Sequence, residues 1–149
     1  MIERARFAVN VCAVLHRDGR WLLNVRADDA SYAAGTIGLI GGHVERSDGP
    51  ERVFESTVQR EVAEETGIDL TGLPLTYLDS EAYSGADGDL VLTVTYAAEL
   101  PPGTEPAAEN AMEDSELSWW TLEDLEADPR CAPWTSRLVR RALAAITSS

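Results

Sequence analysis

At 149 residues, with 44% apolar and 26% charged content, the chain is long enough for one well-buried domain spanning residues 1–149 and too short for two of ordinary size. Its net charge of −14, with all twelve basic residues Arg, offers no basic stripe to displace counterions; nucleic acid is excluded as a partner, and an anionic ligand depends on metal ions and local arginines. The apolar run Phe7 to Leu15 is broken by Asn10 and too short to span a bilayer, so no membrane partner and no secretion signal are expected, and cytoplasmic residence follows.

Phe7 to His16 and Trp21 to Val25 read as β-strands joined by Arg17-Asp18-Gly19-Arg20, in which Asp-Gly is the hairpin signal. Arg26 to Gly35 is a polar, Ala-rich loop, and Thr36 to Ile40 a short buried strand that delivers the chain to a glycine loop at Gly41-Gly42. Pro50 sits where a first helical turn can begin, and the helix runs to Thr66, where Gly67 caps it. Leu73 to Tyr83 and Leu90 to Leu100 are two further strands around the loop Ser84 to Asp89. Pro101 to Asn110, rich in Pro, Ala and Glu, is expected to be mobile. Leu117 to Thr121 gives another strand, Leu122 to Ala127 a short acidic helix, and Trp134 to Ile146 an amphipathic helix. This alternation predicts an α/β protein with a mixed sheet between helices. Cys12 and Cys131 fall in a strand and a pre-helical turn and are expected as packing thiols, not a disulfide.

The chemistry concentrates between Gly41 and Ile68. Glu61, Glu64 and Glu65, at i, i+3 and i+4, share one helical face, so their oxygens can converge on one or more hard cations. On a helical wheel with Glu61 at zero, Phe54, Val58 and Val62 fall near 20°, 60° and 100°, with Glu65 near 40° among them. Acids set for solubility would point away from that apolar stripe. Three carboxylates beside a core repel one another and lose hydration, at a cost of several kcal/mol that a bound cation or a cationic neighbour must offset. Arg60, about 100° behind Glu61, is placed to reach sideways to a carboxylate.

This stretch resembles the signature box of the Nudix hydrolases: Gly, five residues, Glu, seven residues, then Arg-Glu-apolar-x-Glu-Glu-x-Gly-apolar. The downstream half is met by Arg60, Glu61, Val62, Glu64, Glu65, Gly67 and Ile68. The upstream half departs, because Gly42 to Arg60 is eighteen positions where the family has fourteen. Four residues are therefore inserted, most simply within Arg46 to Pro50. Counting back from Arg60 puts the first box Glu on Arg52; counting forward from Gly42 puts it on Asp48; Glu51 and Glu55 are alternative substitutes. The resemblance implies a Nudix-type α/β/α sandwich and hydrolysis of a nucleoside diphosphate linked to another moiety, with Mg²⁺ or Mn²⁺ as cofactor. It further implies Glu61, Glu64, Glu65 and the Gly41 carbonyl as metal ligands, Arg60 with the three glutamates as the catalytic group, and Glu61 alternatively as the residue that orients water. Homodimers are frequent among proteins of this resemblance.

On the substrate side the reading assigns Arg26, Gly42 and Glu113, the last chosen over Glu109, Asp114 and Glu116 as the late-loop acid. Tyr32 and His43 are further candidates for a base and a phosphate. Trp119 and Trp120 point to opposite faces of their strand, so at most one lines the cleft. Two other readings stand beside hydrolysis. A catalytically weak nucleotide-binding or regulatory module would have no need of all three glutamates. Isomerase chemistry on an isoprenoid diphosphate would need a catalytic Cys beside the site, and Cys12 reads as lying too early in its strand.

Overall fold

The computed structural model describes residues 3–30, 33–110 and 115–147. Its elements run β1 (Ala8–Arg17), β2 (Arg20–Arg26), β3 (Ile37–Gly38), β4 (Ile40–His43), α1 (Val53–Thr66), β5 (Thr76–Ser84), β6 (Leu90–Glu99), β7 (Ser115–Trp120), α2 (Leu122–Ala127) and α3 (Pro133–Thr147). The seven strands form one mixed sheet, ordered β3-β2-β1-β6-β5, with β4 also on β1 and β7 also on β2. β1 and β6 run parallel and every other pairing is antiparallel. Asp18 and Gly19 both take positive φ, 50° and 78°, as a two-residue hairpin turn that follows the strand twist requires.

The period-two alternation of β1 divides the core. Val11, Ala13 and Leu15 face α1, where they meet Val58 and Val62. Val14 faces the other layer and packs with Leu125 of α2 and Leu138, Val139 and Ala142 of α3. Helices thus cover both faces of the sheet, the α/β/α sandwich expected. Val58 and Val62 are fully buried, each stabilising the α1 layer by about 1.5–3 kcal/mol. Trp119 packs with the α1 layer and Trp120 with the α2/α3 layer, so they do point to opposite faces. No helix among the described residues is long and apolar enough to cross a membrane.

Three expectations are corrected. The segment Thr36 to Ile40 is two short strands, because the chain changes partner at Leu39: Ile37 and Gly38 pair with β2, whereas Ile40 onward pairs with β1. Gly41 and Gly42 lie inside β4, opposite Cys12 and Val11, and are not a loop. The helix starts at Val53, not Pro50, since a 3₁₀ turn at Arg46–Asp48 comes first and Arg52 adopts a left-handed backbone (φ 48°) at the helix N-cap. The helix end is as read, with Gly67 at φ 75° donating its N–H to the Ala63 carbonyl.

The segment before β7 is tied down by specific contacts. Ala107 N–H donates to the Thr66 carbonyl, and the Asn110 side-chain amide donates to the carbonyls of Ala63 (3.3 Å) and Glu64 (3.2 Å). The bonds to Thr66 and Glu64 satisfy carbonyls that the end of α1 leaves open. Arg17 lies 3.9 Å over the Trp119 ring and bonds Glu105 and the Thr104 carbonyl at the start of the same segment.

Candidate active site

A fork in the sheet positions the site. β1 pairs with β2 through Leu15, His16 and Arg17, but with β4 through Asn10 to Ala13, so β2 and β4 diverge. A cleft of about 680 Å³ opens there, lined among others by Asn10, Cys12, Arg26, Gly41 and Glu65. That volume suits a nucleotide-sized ligand.

Two glycines set the floor. A Cβ on Gly41 would stand 2.3 Å from the Val11 carbonyl oxygen and 2.9 Å from Cys12 Sγ. A Cβ on Gly42 would stand 2.4 Å from the Glu61 carboxyl carbon. Glu61 therefore occupies the room that the missing side chain leaves, and α1 rests directly on strand backbone. The Gly41 N–H donates to Glu65 Oε2 at 3.2 Å. Because N–H and C=O of one strand residue project to the same edge, the Gly41 carbonyl is also turned away from β1, toward the glutamate side.

Arg60 organises the acids. Its Nε and Nη2 donate to the two oxygens of Asp48 at 2.8 and 2.9 Å, a bidentate pair. Nη2 also donates to the His43 carbonyl at 2.9 Å, and Nη1 to Glu61 Oε1 at 2.9 Å and Glu64 Oε2 at 3.3 Å. The Asp48 carboxylate, 5% exposed, accepts further bonds from the Glu45 N–H and the Thr57 hydroxyl. Hydrogen bonding from Arg60 first, then from Glu45 and Thr57, outweighs burial and holds Asp48 well below the usual carboxylate range. Of the two counts along the box, the forward one from Gly42, which lands on Asp48, yields the residue that meets Arg60. Glu51 is exposed and Glu55 faces Arg52 at 3.7 Å, so neither substitutes for it. Arg52 projects to solvent, 73% exposed.

Glu65 differs from its two partners. Burial, then repulsion from Glu61, pushes its carboxyl up to about 7, with Glu64 adding to the rise; the Gly41 N–H and Arg26 pull the other way. A carboxylate so crowded by like charge is chemically suited to a hard cation. Glu61 is 12% exposed and Glu64 59%, so one is fixed and the other can swing. Among the described residues no three His, Cys, Asp or Glu side chains already surround one point as a metal cage.

Arg26 lines the cleft near Glu65. His43 offers Arg60 its backbone carbonyl while its side chain is exposed. Glu113 and Tyr32 lie outside the described residues. Glu109 and Glu116 are exposed and neither lines the cleft, nor does either Trp119 or Trp120. Cys12, read as too early in its strand, stands in the cleft opposite Gly41. Burial, then the charges of Glu65 and Glu61, pushes its thiol up to about 12, so it stays neutral and is a poor nucleophile. Sequence reasoning missed Asn10 and Trp134 as cleft residues. The polar Asn10 inside an apolar strand was an available signal; Trp134 reads as one more apolar residue of an amphipathic helix.

A mixed sheet between helices, with an Arg-anchored glutamate face standing over paired glycines, defines a hydrolase of phosphorus-containing anhydrides. The chain belongs to the NUDIX family, whose domain model matches residues 4–142. A MutT NUDIX hydrolase from Burkholderia pseudomallei is 29% identical with a TM-score of 0.70, the alignment covering 91% of this chain and 98% of that one. The NUDIX domain of Shewanella oneidensis NrtR, solved with ADP ribose, is 23% identical with a TM-score of 0.73, covering 96% of this chain and 90% of that one. A MutT protein from Methanosarcina mazei Go1 is 20% identical with a TM-score of 0.69, covering 97% and 99%. No curated protein matches the sequence.

Proposed function

We propose that the protein is a metal-dependent pyrophosphohydrolase that cleaves a nucleoside diphosphate linked to another moiety, using Mg²⁺ or Mn²⁺ held by Glu61, Glu64, Glu65 and the Gly41 carbonyl. The observation that carries this reading is the Glu65 carboxylate seated on the Gly41 N–H at 3.2 Å, where burial first and then repulsion from Glu61 and Glu64 disfavour its charge without a cation. When bound, a divalent cation neutralises charge developing on the diphosphate and lowers the pKa of an attacking water.

The residues around it have separable tasks. Asp48 holds Arg60, and Arg60 holds one oxygen of Glu61. Gly42 has no side chain and so admits the Glu61 carboxylate against the strand; on this reading its backbone lies beside the substrate phosphates. Arg26, near Glu65, supplies positive charge for a phosphate in an otherwise acidic protein. Glu61 also stands where it can orient the water. ADP ribose, the ligand of the NrtR domain, is of the proposed chemical class. Cytoplasmic residence and a homodimer belong to the same reading.

A second reading is a nucleotide-binding module without turnover. It is favoured by the contacts of Arg60 with both Glu61 and Glu64, through which an internal cation already answers part of the acidic charge. A hydrolysis screen over nucleoside triphosphates, nucleotide sugars, dinucleoside polyphosphates and dinucleotide cofactors, with and without Mg²⁺, separates the two. Turnover that requires Mg²⁺ and is lost in Glu64→Gln supports the hydrolase. Nucleotide binding without turnover on any class supports the module.

A further inference from the structure

The cleft mouth carries two aromatic side chains that neither core uses. Trp134, in the first turn of α3, is 58% exposed, and Tyr83, near the end of β5, is 47% exposed; both line the cleft. Of the four tryptophans, Trp21 is buried and Trp119 and Trp120 pack against the two core layers. Trp134 alone among them is given to solvent at a cleft.

α3 packs on β5, so Trp134 and Tyr83 stand on neighbouring elements of one cleft. Arg141 pairs with Asp79 at 3.3 Å, and Arg137 pairs with Glu81. Moving three or four residues back along a helix advances roughly 4.5–6 Å, and two residues along a strand roughly 6.8 Å, so the two elements run in near register, antiparallel. The next rung of that ladder after Arg141–Asp79 and Arg137–Glu81 is Trp134–Tyr83. On another wall, Asn10 of β1 holds a buried amide oxygen with no hydrogen-bond partner among the described residues. An amide presents an acceptor beside a donor, the pattern that pairs with the edge of a heterocyclic base, while aromatic rings take its faces.

We propose that Trp134 and Tyr83 are a pair of jaws that stack on the nucleobase of the substrate, held in register by the Arg137–Glu81 and Arg141–Asp79 ion pairs, and that Asn10 reads the hydrogen-bonding edge of that base. This rests on the nucleotide reading above and names the residues that select within it.

Indole fluorescence tests it apart from catalysis, because nucleoside monophosphates carry no anhydride to hydrolyse. AMP, GMP, CMP and UMP are titrated in turn, with inorganic phosphate as the base-free control. At least one monophosphate is expected to quench emission, and phosphate is not. Trp134→Phe is expected to remove the quench while calorimetric binding persists; Trp134→Ala weakens binding roughly tenfold; Asn10→Ala narrows the affinity differences among the four bases. Far-UV dichroism and the melting midpoint are expected to stay unchanged in both Trp134 variants, since the side chain is exposed. A quench that survives Trp134→Phe, no quench by any of the four, or unchanged affinity in Trp134→Ala overturns the jaws. Turnover lost in Glu64→Gln alongside any of those results leaves the hydrolase reading standing, whereas turnover untouched by Glu64→Gln removes that reading whatever the quench does.

Discussion

Replacing Asp48 by Asn removes the charge to which Arg60 is anchored while keeping the side chain's shape. Four hydrogen bonds converge on that carboxylate, two of them charge-assisted and parallel, at 2.8 to 2.9 Å. An amide can replace at most one oxygen and must turn an NH₂ toward a donor. Disabling one partner of a buried pair costs about 3–5 kcal/mol, and because Arg60 is 19% exposed and retains Glu61, about 3 kcal/mol is expected. For a chain of this size that lowers the melting midpoint by roughly 6–12 °C. Urea unfolding should show the loss in the midpoint with an unchanged slope. The effect has a definite pH signature. Asp48 titrates lower in the folded state than in the unfolded chain, so its stabilisation is complete above the unfolded value of about 4 and is lost as pH falls below it toward the folded value. The wild type should therefore lose stability more steeply than Asp48→Asn on acidification below about pH 4. A cost under about 1 kcal/mol, or parallel pH profiles, would refute the anchoring argument.

Glu64→Gln and Glu65→Gln should each reduce Mg²⁺-dependent turnover by roughly a hundredfold or more while far-UV dichroism stays unchanged, since each removes charge and little packing; full activity in both would sink the assignment of the cluster. Glu65 titrates higher in the folded state, so its contribution is present below the unfolded value of about 4 and lost as pH rises through about 7. In chelator-treated protein, Glu65→Gln should therefore raise the melting midpoint at pH 8 and leave it unchanged at pH 4, and a lowered midpoint at pH 8 contradicts this. Gly41→Ala drives a methyl into the Val11 backbone and should cost more than about 2 kcal/mol in urea unfolding. Gly42→Ala meets the carboxyl end of Glu61, a side chain and not main chain, so turnover should fall further than stability; the reverse ranking of the two variants would undo the steric reasoning.

How far the sequence could be read differs along the chain. Periodicity was enough for α1 from Val58 onward, for both long strand pairs and for α3, because side chains there sort cleanly between two cores. It failed around Gly41 and Gly42, where paired glycines suggest a loop by composition yet serve close approach within a strand. A propensity scale registers what a glycine permits to its own backbone, not what its missing side chain permits to a neighbour. Pro50 was similarly misread, since the turn at Arg46–Asp48 is fixed by the Asp48 bonds to Glu45 and Thr57, and the helix waits for Val53. The three glutamates and Arg60 were legible because their spacing is local. Asn10 and Cys12, Tyr83, and Trp134 come from three separate stretches and meet only when β1, β5 and α3 surround the cleft.

The two glycines of β4 have one more consequence. A floor made of bare main chain offers no side chain whose exchange could alter the chemistry done above it. Change at those positions is confined to loss, so the reacting centre is insulated from gradual revision. Any divergence toward a new substrate has to be written on the walls of the cleft, in residues such as Asn10, Tyr83 and Trp134 that stand apart from the glutamates of the centre.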